Sequence, residues 1–260
     1  MRLKDSIVVV TGGASGIGRA LAWRFTTEGA RCVVVVDVDE AGARAVADEV
    51  GGVAMVADVS RSADVARVVE ATETDLGPID LFCSNAGVFL PGGAGVSDDQ
   101  WEQLWGVNVM GHVHAARAVL PRMLQRGRGY LLQTASAAGL LSQIGSAPYA
   151  VTKHAAVGFA EWLSITYGDQ GITVSVLCPQ AVRTRMTDGL AVGSAAAADG
   201  ILEPGAVADA VVAGLDDERF LILPHPEVLD YMRRKTADYD RWLRGMRTLR
   251  ARLSDLPETG

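Results

Sequence analysis

Apolar residues along the chain alternate between two kinds of run. Short runs in which nearly every residue is apolar, many of them β-branched, occupy 6–11 (SIVVVT), 31–37 (RCVVVVD), 53–57, 79–84, 130–134, 172–177 and, more weakly, 220–223. Runs this short, with no polar alternation, read as strands buried on both faces of a parallel sheet. Between them lie stretches with helical spacing at 16–28, 40–50, 62–76, 98–126 and 148–167, and a further helix after Pro204. Gly29 closes the first of these helices. Alternating strands and helices predict βαβ units whose right-handed crossovers place helices on both faces of the sheet. The expected fold class is α/β: a doubly wound parallel sheet of about seven strands, in a single domain spanning 1–260.

Two segments stand apart from this alternation. Residues 186–203 include the low-complexity run GSAAAADG (193–200), and are expected to form a mobile substrate flap. Residues 226–253 are expected to form one basic amphipathic helix. Within 231–252 there are eight basic and two acidic residues, and Trp242, Met246, Leu249 and Leu253 recur at helical spacing. Three uses are open for that helix. It docks on a neighbouring subunit, an acidic surface or an anionic ligand; it is a surface helix with a solvated basic face; or, less favoured, it lies on a membrane surface.

Composition narrows the function classes. With 49% apolar residues the chain has the mass for a large core, which excludes disorder as its main state. A net charge of −7 argues against a nucleic-acid partner. Cys32, Cys83 and Cys178 are odd in number and not closely spaced, so they read as small core residues in a reducing compartment. His112, His114, His154 and His225 lack metal-ligand spacing, and no metal is expected. The sequence shows no signal-peptide architecture and no membrane-spanning stretch, so a soluble, cytoplasmic protein is expected.

The 29 glycines mark turns and close approaches, and several fall in Thr11-Gly12-Gly13-Ala14-Ser15-Gly16-Ile17-Gly18. This segment follows the first strand and opens the first helix. Strand, glycine turn and helix N-terminus together form a phosphate cradle: the backbone can approach a pyrophosphate, and the helix end supplies free N–H groups and positive dipole potential. Such a loop alone is also an ordinary strand–helix turn; its place in the first unit of a doubly wound chain favours the nucleotide reading. Cofactor contacts are expected from Gly12, Ala14, Ser15, Gly16, Ile17 and Gly18. Asp37 ends the second strand, where a carboxylate accepts hydrogen bonds from both ribose hydroxyls and repels a 2′-phosphate. No Arg or Lys stands at Ala14, Ser15, Val38 or Asp39 to receive that phosphate. The expected cofactor is NAD, with Asp37 and Val38 among its contacts.

Candidate chemistry follows the fifth strand. Ser136 lies at its end, and thirteen residues on come Tyr149 and Lys153. The last two are four apart, so they share one helix face. An ammonium beside a phenol favours phenolate, so the spacing predicts a Tyr149 that titrates nearer neutrality than its usual value of about 10 and exchanges protons with a substrate. A YxxxK pair alone arises by chance on many helices; Ser136 at the preceding strand end gives it weight.

The TGxxxGxG turn together with Ser136, Tyr149 and Lys153 resembles the short-chain dehydrogenase/reductase family, in its NAD-preferring YxxxK form, over about residues 5–185. The resemblance implies a Rossmann-type fold and reversible hydride transfer, with Tyr149 as acid/base, Lys153 on the ribose hydroxyls and Ser136 orienting the substrate oxygen. It implies that Asp58 bonds the adenine amino group and Val59 flanks the ring. It implies that Asn85, Ala86 and Gly87 border the cofactor, and that Pro179, Val182 and Thr184 lie at the nicotinamide carboxamide. Asn108 would hold a water through its backbone carbonyl and complete a proton path through Lys153. A homo-oligomer, tetramer or dimer, would form partly through the helices around 101–126 and 148–168. The chain departs from the pattern at Ser84, in place of the first Asn of NNAG, and at Gln180, where glycine usually follows the proline.

Substrate contacts are expected from Val88, Phe89 and Leu90, from Ala138, Leu140, Leu141, Gln143 and Ile144, and from Gln180, Met186 and Leu190. The set is mainly apolar and no Arg or Lys stands in its first two groups, although Arg183 and Arg185 are near in sequence. A neutral, hydrophobic secondary alcohol or ketone is expected. The alternatives are an NADPH-dependent carbonyl reductase, a non-catalytic NAD-binding regulator, and an oligomeric scaffold that uses the basic helix.

Overall fold

The structure is a computed structural model that describes residues 1–187, 197 and 199–253. The valine-rich runs form β1 (Ile7–Thr11), β2 (Cys32–Asp37) and β3 (Val53–Val56). They are followed by β4 (Leu81–Ser84), β5 (Gly129–Thr134), β6 (Ile172–Leu177) and a two-residue β7 (Leu221–Ile222). All pair in parallel in one sheet, in the order β3-β2-β1-β4-β5-β6-β7. Val8 is in register with Val33 on one side and Leu81 on the other. The strand order reverses at β1, which opens a crevice beyond the carboxyl ends of β1 and β4.

The connections are α1 (Gly16–Thr27), α2 (Glu40–Val50), α3 (Ser62–Asp75), α4 (Asp98–Trp105), α5 (Gly111–Arg126), α6 (Ala138–Leu141), α7 (Ala147–Tyr167) and α8 (Pro204–Asp216). Two more helices end the described chain, α9 (Glu227–Ala237) and α10 (Tyr239–Arg252). Successive strand residues point to opposite faces. Val9, Phe82, Leu131 and Val174 pack with Val65, Val119, Met123, Ala160 and Leu163 of α3, α5 and α7. Val8, Val10, Leu81 and Leu132 pack with Leu21, Phe25, Val46, Val207 and Val211 of α1, α2 and α8. Both faces are covered, as the absence of polar alternation in the strands predicts. No helix among the described residues is long and apolar enough to cross a membrane.

Two expected helices are divided. The 98–126 stretch is α4 and α5 joined by a π-helical turn, Gly106–Met110. Glycines flank that turn for a steric reason: a Cβ at Gly106 would lie 3.3 Å from Ser60 Cβ, and one at Gly111 3.0 Å from Val59 Cγ2. The turn therefore seats closely on the loop after β3. The 226–253 stretch breaks at Asp238, whose backbone is extended (φ −156°, ψ 95°) and whose carboxylate accepts the Arg241 N–H as the N-cap of α10. A third apolar cluster results, in which Ala137, Leu141 and Val228 pack with Tyr231, Met232 and Trp242. Most of the expected flap, including Leu190, residues 193–196 and residue 198, lies outside the described residues.

Candidate active site

The crevice begins at the turn after β1. Gly12 has φ +63°, and a Cβ there would come within 2.8 Å of Ala86 Cα. A Cβ at Gly18 would lie 2.0 Å from Gly12 O, so the turn and the start of α1 close only around glycine. Ser15 is the N-cap of α1 but its side chain caps nothing, leaving the first N–H groups of the helix without a side-chain acceptor. Thr11 Oγ1 ties this turn to the end of β4, donating to Cys83 O and accepting from the N–H groups of Asn85 and Ala86. Gly12, Ser15, Gly16, Ile17 and Gly18 line a cavity of about 400 Å³, which continues along Asp37, Val38, Asp58 and Val59 and past Asn85, Ala86 and Gly87 to Pro179, Val182 and Thr184. An uncapped helix N-terminus, a glycine cradle and a carboxylate at the end of β2 fit a dinucleotide: pyrophosphate at the first, diol at the last.

Ala14 is absent from this cavity wall, contrary to the expectation of cofactor contact. Its N–H instead donates to Asp37 Oδ2 (3.0 Å), while Asp39 N–H donates to Asp37 Oδ1 (3.1 Å). Ala14 acts on the site through the carboxylate that it orients. Asp58 is likewise held, accepting from Ser60 N–H and Ser60 Oγ.

β5 and α7 bring the three candidate catalytic side chains together. Ser136 follows β5, and its Oγ accepts the Ala138 N–H (3.1 Å). α7 begins at the N-cap Ser146, whose Oγ accepts the Tyr149 N–H and donates to Leu90 O. Lys153 is 3% exposed; its ammonium donates to Thr134 O (3.1 Å) and lies 5.6 Å from the Tyr149 ring centroid. Burial lowers the Lys153 pKa to about 8. His112 adds no charge nearby, since burial and the lysine hold its ring neutral down to about pH 3. The expected drop in the Tyr149 pKa is not found. Burial pushes the phenol above its ordinary value, a contact with Ser136 pulls it down, and desolvation is the larger effect. Asn108 sits in the π-helical turn. Its side chain bonds both the N–H and the carbonyl of Val88 and donates to Thr152 Oγ1, fixing the loop after β4 to α7.

A second cavity, of about 770 Å³, adjoins the first, and Ser136, Tyr149, Gln180, Met186 and Thr187 line both. Of the expected substrate residues, Phe89, Ala138, Leu141, Gln143, Ile144, Gln180 and Met186 form its wall, and the Phe89 ring meets Tyr149 edge-on at 5.2 Å. Leu140 does not: it packs into the apolar clusters, while its neighbour Leu141, also expected, does line the cavity. On so short a helix, neighbouring residues diverge by about 100°. Val88 belongs to the first cavity. Gln180 donates its N–H to His225 Nδ1 (3.2 Å), and its Oε1 is buried without a partner among the described residues. The sequence reading missed a whole wall, formed by Tyr231, Arg234, Arg241, Trp242, Met246 and Leu249 of α9 and α10. The signal was present in the helical spacing of Trp242, Met246 and Leu249; what that stripe covers was not.

The sequence profile of the short chain dehydrogenase family matches residues 6–193. The chain belongs to this family. It is 38% identical over 236 residues to the 1-deoxy-11-beta-hydroxypentalenate dehydrogenase of Streptomyces avermitilis, covering 87% of each chain. It is 34% identical over 192 residues to the meso-2,3-butanediol dehydrogenase of Serratia marcescens, covering 73% of this chain and 76% of the relative. Among solved structures, a short-chain dehydrogenase/reductase of Burkholderia phymatum in complex with NAD superposes with a TM-score of 0.84 at 30% identity, covering 92% of this chain and 96% of the other.

Proposed function

We propose that this short-chain dehydrogenase interconverts a bulky, mostly apolar secondary alcohol and its ketone, with NAD as hydride carrier. The observation that carries the reading is the junction of the two cavities, where Ser136 and Tyr149 belong to both walls with Lys153 buried behind them. When bound, the nicotinamide supplies the hydride acceptor at that junction. In oxidation Tyr149 Oη takes the carbinol proton as the C–H bond gives up its hydride, and the C=O bond forms. In reduction Tyr149 returns the proton. Ser136 Oγ holds the oxygen, and Lys153 holds a positive charge beside the phenol and the ribose. Asn108 keeps α7 and the loop after β4 in register, so these groups stay aligned. The hydroxypentalenate and butanediol dehydrogenases among the relatives support an alcohol or ketone substrate, and the NAD complex of the Burkholderia protein supports the cofactor.

NAD rather than NADP is favoured by Asp37, oriented by two backbone N–H groups at the ribose end of the cavity. A homo-oligomer is supported by Val151, Trp162 and Ile165, exposed along one face of α7. A reducing, cytoplasmic location is supported by the free thiols of Cys83 and Cys178 in the core.

Two variants test the reading. Tyr149→Phe is expected to lower turnover of any active alcohol by at least about a hundredfold while NADH binding persists; an active Phe enzyme would remove Tyr149 from the mechanism. Asp37→Ala is expected to lose roughly tenfold or more in NADH affinity, as charge-assisted hydrogen bonds go, and to gain NADPH binding. An unchanged NADH-to-NADPH ratio would refute the role of the carboxylate.

A further inference from the structure

Among the described residues, the charged side chains of the 770 Å³ cavity all come from α9, α10 and the break between them: Arg234, Asp238 and Arg241. The rest of the described lining is apolar or neutral, with Phe89, Leu141, Ile144, Trp242, Met246 and Leu249 around one space. Asp238 is already engaged, since its carboxylate caps α10 through the Arg241 N–H (2.9 Å). The two guanidinium groups are exposed and have no carboxylate partner among the described residues, as is also the case for Arg244, Arg247, Arg250 and Arg252 of α10, which do not line the cavity. Arg234 is held against the Tyr231 ring at 5.7 Å, and Tyr231 is anchored in turn by donating to Asp199 (2.8 Å). The neighbouring Lys235 is spent elsewhere, on Leu140 O (2.7 Å). The cavity therefore holds the reacting groups Ser136 and Tyr149, an apolar lining, and two cations without a carboxylate partner on the α9–α10 wall.

We infer that the substrate is an apolar alcohol or ketone that carries a carboxylate away from the carbinol carbon, and that Arg234 and Arg241 recognise that carboxylate. The inference rests on the proposed dehydrogenase reading and replaces the neutral substrate expected from the sequence by an anionic one. A guanidinium presents paired N–H donors that match a carboxylate edge to edge, and two of them on one wall provide that match although both side chains are exposed to solvent. Orientation follows: an anion held on the arginine wall limits which part of the apolar body can reach Tyr149. A neutral alcohol fills the same volume but leaves both cations unpaired.

The test uses the full chain with NAD⁺ and matched pairs of alicyclic hydroxy acids and their methyl esters, from 4-hydroxycyclohexanecarboxylate to a 3-hydroxycholanate. The acids are expected to exceed their esters in kcat/KM by roughly tenfold, a preference that shrinks with added salt. In R234Q/R241Q the acid-to-ester ratio should fall toward one, through KM. Calorimetric titration of the same acids and esters into the enzyme with NADH reads the site without turnover. Acid binding that is tighter than ester binding and is lost in R234Q/R241Q supports the anion site even if no alcohol is oxidised; that combination would overturn the dehydrogenase reading alone. Turnover with equal or better kcat/KM for the esters, or an acid preference unmoved in R234Q/R241Q, would overturn the inference and leave the dehydrogenase standing.

Discussion

Tyr149 and Lys153 show how far a spacing argument reaches. Four residues apart on a helix, they do lie side by side, 5.6 Å from ammonium to ring centroid. Yet the lysine's hydrogen bond goes to Thr134 O, and burial rather than charge sets the sign of the tyrosine's shift. Spacing gives proximity; it does not give dielectric. The same burial lowers Lys153 to about 8. A ribose diol favours the charged ammonium as donor, so the protonated form is the one that binds. NADH affinity is therefore expected to be highest below that value and to weaken as pH rises through about 8. Fluorescence titration of NADH across that range checks it, and Lys153→Met should bind more weakly with no such dependence. A profile identical in the two proteins would show that Lys153 does not control binding. Ala14 and Leu140 mark a second limit. Each is expected at a site from its place in a motif or loop, and neither lines its cavity: the Ala14 N–H is engaged on Asp37, and Leu140 packs into the apolar clusters.

At the scale of elements, the chain divides its two cavities unequally. Every described residue lining the dinucleotide cavity lies between Gly12 and Thr187, whereas a wall of the substrate cavity comes from α9 and α10. None of the residues of α10 is buried. Its apolar stripe covers the cavity, and only Trp242 also packs against the small third cluster. A chain ending at Asp238 is thus expected to fold and to bind NADH much as the full chain does, while KM for bulky alcohols rises. Thermal denaturation, NADH titration and kinetics on a bulky and a small alcohol together check this. Loss of NADH binding in a folded truncated chain would show that α10 belongs to the cofactor site as well. The π-helical turn at Gly106–Met110 is a feature of the same kind. Its position was inside a stretch correctly read as helical, but the extra residue per turn is set by contact with Val59 and Ser60, not by local propensity.

Over the whole molecule, local pattern determined a great deal. Valine runs with no polar face can only be strands covered on both sides, so βαβ units, the parallel sheet and the carboxyl-edge crevice follow from the sequence. The glycines of the first turn were legible because sterics at Gly12 and Gly18 exclude any side chain, and Ser136, Tyr149 and Lys153 because their spacing is itself the geometry. Only the tertiary structure decided what the amphipathic C-terminal stretch packs on. A hydrophobic stripe states that something must be covered and is silent about what, since burial is non-directional. Folding α9 and α10 back over the active site turned a basic surface helix into the wall that carries Arg234 and Arg241, and so decided the chemistry the pocket asks of its substrate.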